Sequence, residues 1–187
     1  MEVEKIANFK QVDSSNLKKY KVNVALKDVG FDGEDGTELF GQIPNVYLIS
    51  ENIISKENTV LNGTGGIYII DGSLNVQGDL TFFAYDSYTI LVVNGDLNVS
   101  GNLIQYADTQ LIINGNTKVD KTLWINLSDA GFTVFRGNVE CESWCQTNDS
   151  VEDSLITIKQ IGGNKISEND SEYEDLYEKF EKVTNRL

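Results

Sequence analysis

Histidine is absent from this chain of 187 residues, and proline occurs once, at Pro44. Without an imidazole, nucleophile–base pairs of the Ser/His or Cys/His type cannot be assembled. Cysteine occurs twice, as Cys141 and Cys145. Two thiols and no histidine leave a zinc site short of ligands. Neither a metal nor a cofactor is expected. Long hydrophobic runs are also missing, and the wholly apolar stretches in the central region reach only four residues, as at Ile67–Ile70 and Ile90–Val93. Such runs are far too short for a membrane helix. The start, Met1-Glu-Val-Glu-Lys-Ile-Ala-Asn8, lacks the charged-then-apolar order of a secretory leader. A cytoplasmic protein without membrane contact is the expectation, and the Asn-x-Ser/Thr triplets at Asn62, Asn98 and Asn126 then read as surface sequence.

Basic residues are scarce. Fifteen Lys and Arg against 29 Asp and Glu give a net charge of −14. From Glu57 to Thr117 there is no base at all, against six acids: Glu57, Asp71, Asp79, Asp86, Asp96 and Asp108. This field opposes nucleic acid binding, which depends on neutralising phosphates. It favours a basic protein partner, met faster at low salt.

What the chain does contain is a repeat. Gly72, Gly95, Gly115 and Gly137 recur at spacings of 23, 20 and 22 residues, in phrases such as Ile70-Asp-Gly-Ser-Leu-Asn-Val76 and Val93-Asn-Gly-Asp-Leu-Asn-Val99. Aligned on that glycine, Ile70, Val93, Ile113 and Phe135 stand two before it; Leu74, Leu97, Thr117 and Val139 stand two after. Val76, Val99, Val119 and Cys141 follow at four after, and Leu80, Leu103, Leu123 and Cys145 at eight after. Even steps between apolar columns are the side-chain period of a strand. A fixed period of this size means stacked units, here short strands broken by glycine corners and rising about 4.8 Å per coil. A leucine-rich repeat would need a Leu-x-x-Leu return, and a left-handed hexapeptide helix a regular multiple of six. The expected fold is therefore all-β: a right-handed parallel β-helix of four to five coils. The uneven spacing falls in one corner, because Phe82–Thr89 is longer than Gln105–Gln110. Asp71, Asn94, Asn114 and Arg136, each before a repeat glycine, read as a stacked ladder of turn residues.

Around the repeat, Tyr20–Leu26 alternates as a strand and Val46–Ile49 with Asn52–Ile54 suggests an irregular early coil, the units proper beginning near Ile67. Asp28–Glu38 carries five acids; as a calcium loop it matches only in part, with Gly30 third and Leu39 twelfth, so an acidic turn-rich loop is preferred. Leu155–Ile158 reads as a last strand, broken off by Gly162-Gly163. Cys141 and Cys145 fall in inward columns as reduced core thiols, a disulfide across that corner being the other option. From Ser171, with Glu174 three residues on as a capping box, a helix is expected whose stripe is Tyr173, Leu176, Tyr177, Phe180, Val183 and Leu187. An open solenoid end would expose unpaired strand edges, so this helix covers that end or packs along the wall, with the end preferred and a partner-binding helix as the alternative. Residues 1–170 thus form the solenoid domain, irregular at its start, and 171–187 the helix packed on it.

The phrases Ile69-Ile-Asp-Gly-Ser-Leu-Asn-Val-Gln-Gly-Asp-Leu80 and Val92-Val-Asn-Gly-Asp-Leu-Asn-Val-Ser-Gly-Asn-Leu103 resemble two bacterial groups. One is the bactofilins, β-helical cytoskeletal proteins that polymerise end to end; the other is a set of small β-helical proteins similar to immunity or accessory proteins of polymorphic toxin systems. The resemblance spans about residues 60–145. The acidic insertions and the terminal helix depart from bactofilins, and no functional residue carries over.

One corner gathers aromatic and acidic residues: Tyr85, Asp86, Tyr88, Tyr106, Asp108 and Asp129. Tyr beside carboxylate suits anchoring of Arg and Lys. A non-enzymatic binding protein is expected, most concretely an immunity protein that neutralises a basic toxin such as a nuclease. The alternatives are a self-assembling bactofilin-like protein and a carboxylate-based β-helix enzyme.

Overall fold

A computed structural model describes residues 6–22, 45–128, 131–146 and 156–184. The chain begins with strand β1 (Lys10–Val12) and the one-turn helix α1 (Asn16–Lys19). The solenoid follows as β2 (Val46–Ile49), β3 (Ile53–Ser55), β4 (Thr59–Asn62), β5 (Gly66–Ile70), β6 (Leu74–Val76) and β7 (Leu80–Val93). It continues as β8 (Leu97–Val99), β9 (Leu103–Ile113), β10 (Thr117–Leu127), β11 (Phe132–Gln146) and β12 (Ile156–Lys165), and helix α2 (Tyr173–Thr184) closes the described chain. Every pairing from β2 onward is parallel, which makes a β-solenoid of about five coils.

The columns read from the sequence are the columns of the stack. Ile70, Val93, Ile113 and Phe135 are successive register partners, as are Leu74, Leu97, Thr117 and Val139. Their side chains fill one continuous core. Thr117 is buried in its aliphatic column, and its hydroxyl has no hydrogen-bond partner. The uneven spacing is absorbed where expected, by a register shift between Ala84 and Thr89.

Each coil has three walls. The first (β2, β5 and the later part of β7 and β9) is apolar on both faces, because Ile67, Ile69, Ile90, Val92 and Ile112 point outward and are covered by Leu17, Tyr20 and Val22. This explains the four-residue apolar runs, which belong to strands buried on both sides. The second wall bears Asn75, Asn98, Lys118 and Glu140 outward in one row. The third wall carries α2 on its outer face.

Several expectations are corrected. The early coil is present and it is not irregular, since Val46–Ile49, Ile53–Ser55 and Thr59–Asn62 pair in register with Ile67–Ile70, Leu74–Val76 and Leu80–Phe83. Tyr20 does not open a strand; it follows α1, and Lys21 takes φ of 58°. Residues 23–26 of that strand and the whole Asp28–Glu38 loop lie outside the described residues. Gly162-Gly163 does not end the last strand, because β12 runs through it to Lys165 with Gly163 at φ of 115°. Cys145 is not an inward residue. A register shift after Val119 makes Trp144, not Cys145, the partner of Leu123, and Cys145 then pairs with Trp124 on the outer face. Alternation along a strand turns one skipped residue into a change of face. Both cysteines are free thiols, pushed up to about 11 by burial.

Helix α2 lies along the third wall and not over the solenoid end. Phe180, fully buried, meets Ile104, Trp124, Cys145 and Ile166, with Tyr173, Leu176 and Val183 partly buried around them. Its start follows a turn closed by Asp170, whose carboxylate accepts from the backbone N–H (2.7 Å) and hydroxyl (2.9 Å) of Ser167.

Candidate functional site

The corner between the third and first walls holds the aromatic and acidic residues. At Phe83 and Tyr85 the outer face of β7 meets that of β9, and a file of rings runs across the coils. Phe83 and Tyr85 meet edge to face at 5.9 Å, and Tyr85 meets Tyr106 likewise at 6.0 Å. Tyr106 stacks on Trp124 at 6.1 Å, and Trp124 stacks on Phe180 of α2 at 4.9 Å. The rings meet on the diagonal between coils and not as register partners, since Tyr106 pairs with Phe83 and Asn126, Trp124 pairs with Ile104, and Tyr85 falls in the register shift of β7. Burial decreases along it, from Phe180 at 0% exposed to Tyr85 at 51%. The exposed end is thus a ring held from beneath by other rings.

Asp108 sits at this end. Ser128 donates its hydroxyl to the Asp108 carboxylate from the next coil. Burial, then the Tyr106 hydroxyl and the Asp108 charge, push the Tyr85 phenol above its ordinary value, so it remains a neutral donor at physiological pH. Beneath the corner, buried Gln105 donates to the carbonyls of Thr109 (3.2 Å) and Phe132 (3.0 Å) and accepts from the Thr133 hydroxyl at 2.5 Å. That interior network fixes the chain path on which the exposed groups stand.

Of the six residues singled out in sequence, Tyr85, Tyr106 and Asp108 are brought together. The side chains of Asp86 and Tyr88, and all of Asp129, lie outside the described residues. Between the pairs Ala84–Ala107 and Thr89–Thr109, four residues of β7 face one of β9. Phe83, Gln105 and Ser128 stand in the same sequence segments, Phe82–Tyr88, Gln105–Thr109 and Trp124–Asp129, without having been singled out, and Phe180 joins them from α2. Phe180 could have been found only by knowing which wall α2 covers.

The other acids have a different use. Asp71, Asn94, Asn114 and Arg136 form the anticipated ladder: Asn94 donates to Asp71 (2.9 Å), Asn114 to Asn94 (3.1 Å), and Arg136 to Asn114 (3.2 Å). Tyr20 donates its hydroxyl to Asp71 at 2.8 Å, and Asn114 and Arg136 donate to the carbonyls of Tyr20 and Lys21. The ladder therefore also moors the N-terminal segment. Asp96 accepts the backbone N–H of Asn116 at 2.8 Å, and Asp79 that of Asn102 at 2.7 Å. Each aspartate closes a corner of the coil above its own.

A shallow depression on the second wall is lined by Lys118, Asp120, Glu140, Cys141 and Glu142. Among the described residues, no cluster of three or more His, Cys, Asp or Glu could hold a metal ion. No helix among them is long and apolar enough to cross a membrane. Comparison with protein-family models, curated proteins and solved structures gives no match, so the β-solenoid architecture is the classification this chain carries.

Proposed function

We propose that this solenoid is a non-enzymatic binding protein whose aromatic, acidic corner takes a basic protein partner. One observation carries the reading: Tyr85, half-exposed on a file of stacked rings, stands beside the Asp108 carboxylate in a chain of net charge −14. A pre-positioned tyrosine loses little conformational entropy on binding and offers a ring face and a hydroxyl to Arg or Lys. The nearby outer face of α2 adds Glu174, Asp175, Glu178 and Glu181 against Lys179 and Lys182. In its most concrete form the partner is a basic bacterial toxin such as a nuclease, held inactive in the cytoplasm by occlusion.

Size-exclusion chromatography of the purified protein with the product of the adjacent upstream gene tests this. A complex that weakens about tenfold or more in Tyr85→Ala, and weakens with added salt, is the expected result. Co-elution unaffected by Tyr85→Ala and Asp108→Asn would remove the corner from the interface.

A bactofilin-like assembly is the second reading, favoured by β12, whose residues Gly162–Lys165 are exposed at the last coil. Against it, β1 runs antiparallel on β2 and covers part of the first coil's edge, which opposes head-to-tail stacking. Filaments by electron microscopy at high protein concentration would favour assembly over binding.

A further inference from the structure

We propose that α2 is a displaceable strap over an apolar strip of the third wall, and that the strip, once bared, takes an amphipathic partner helix with an aromatic residue at its centre. The strip is the outward row Ile104, Trp124 and Cys145, flanked by Tyr106. This goes beyond the basic-partner reading and does not depend on it.

Four observations converge. Twelve residues make a helix that is marginal in isolation, so α2 is ordered chiefly by docking. Its docking centres on one fully buried side chain, Phe180, stacked on Trp124 at 4.9 Å, while its remaining inward residues are only partly buried. The contact is imperfect: the Trp124 indole N–H is buried with no acceptor, an unfavourable state relieved when water or a partner's carboxylate reaches it. Finally, the solenoid core beneath is complete without α2, since Leu103, Leu123 and Ile125 pack inward with the main column, whereas α2 packs on the outer row and on Ile166. Lifting α2 therefore costs the outer contacts and leaves the coils paired. The strip then joins Tyr106 and Tyr85 in one apolar and aromatic surface. Its occupant in the folded chain is itself an amphipathic helix bearing a central phenylalanine, and this defines the segment that fits.

Cys145 reports the event, because it is 1% exposed beneath α2 whereas Cys141 lies on the second wall. Labelling of the full chain with an aromatic disulfide reagent, each site read by mass spectrometry, compares the two thiols with global unfolding followed by circular dichroism. The strap requires Cys145 to react faster than the solenoid unfolds, and Phe180→Ala to speed it by about tenfold or more while Cys141 is unchanged. Leu176→Ala, a milder loss from the same face, carries the same expectation. A fluorescein-labelled peptide with the sequence of residues 171–187 should bind the Phe180→Ala chain in trans and compete poorly with α2 in the unaltered protein. Cys145 labelling no faster than unfolding, absence of peptide binding, or loss of the fold in both variants would overturn the proposal.

Discussion

Two corners of the same coil set aspartate in different surroundings. At the glycine corner, Asp71 and Asp96 are tied to the neighbouring coil, the one through the Asn94 side chain and the other through the Asn116 backbone N–H. At the aromatic corner, Asp108 is bonded from the next coil as well, by Ser128, but it stands beside Tyr85, which is half in solvent. The first corner is repeated in every unit and holds the stack together. The second is made unequal by the extra residues of β7 and presents side chains outward. Acidity alone therefore says little about binding; half of the six acids in the base-free stretch are corner fittings (Asp71, Asp79 and Asp96).

The sharpest way to break this contrast is at glycine. A Cβ on Gly115 would stand 2.4 Å from the Gly95 carbonyl oxygen and 2.5 Å from an Asp96 carboxylate oxygen. Gly115→Ala must push two coils apart, and a loss of about 3 kcal/mol or more is expected in urea unfolding. An effect under about 1 kcal/mol would mean that the coils do not approach so closely.

Asn114→Leu removes one rung and with it bonds to Asn94, Arg136 and the Tyr20 carbonyl. It is expected to cost about 1–3 kcal/mol, and to raise the protease sensitivity of residues 6–22 before that of the solenoid. Uniform destabilisation without early cleavage would argue that the ladder does not moor that segment.

Alkaline pH separates a second pair of regions. Cys141 and Cys145 hold their protons more tightly in the fold, at about 11 against an ordinary 9.0. A raised folded value means that stability is full below pH 9 and falls as pH climbs toward 11. Replacing both by serine should flatten that limb of the stability curve. Tyr20, also raised by burial, adds a further loss above pH 10.

Thr117→Val exchanges an unpartnered buried hydroxyl for a methyl group in an aliphatic column. It should be neutral or stabilise by up to about 1 kcal/mol. Smallest of all, Tyr85→Ala is expected to shift stability by no more than about 0.5 kcal/mol, while binding to the basic partner falls. A large stability loss would move Tyr85 from the presenting class to the fastening class.

Much of the fold was legible because an even-stepped repeat states which side chains face inward, and β-stacking preserves that statement from coil to coil. Leu74 over Leu97 over Thr117 needed no more than the glycine spacing. What escaped were single-residue offsets and the outer layer. The shift after Val119 that turned Cys145 outward leaves no mark in composition, and one residue decides the face. The first coil read as irregular because its Ser50-Glu-Asn52 corner lacks the glycine that marks the others. The placement of α2 depended on an apolar outer row, Ile104, Trp124 and Cys145, hidden among residues that a two-residue period assigns to solvent. At the candidate site, the nearness of Tyr85, Tyr106 and Asp108 was legible from their matching places in successive coils, whereas their support by Trp124 and Phe180 depends on where α2 packs.

Register is the claim on which both corners rest, and a designed cross-link measures it directly. Asn75 and Asn98 are register partners whose amides bond at 2.9 Å. With Cys141 and Cys145 replaced by serine, Asn75→Cys with Asn98→Cys should oxidise readily to an intramolecular disulfide. Asn75→Cys with Ser100→Cys, displaced by two residues along the strand, should not, because its Cα separation of about 8 Å exceeds disulfide reach. Cross-linking in the displaced pair and not in the aligned one would contradict the stack.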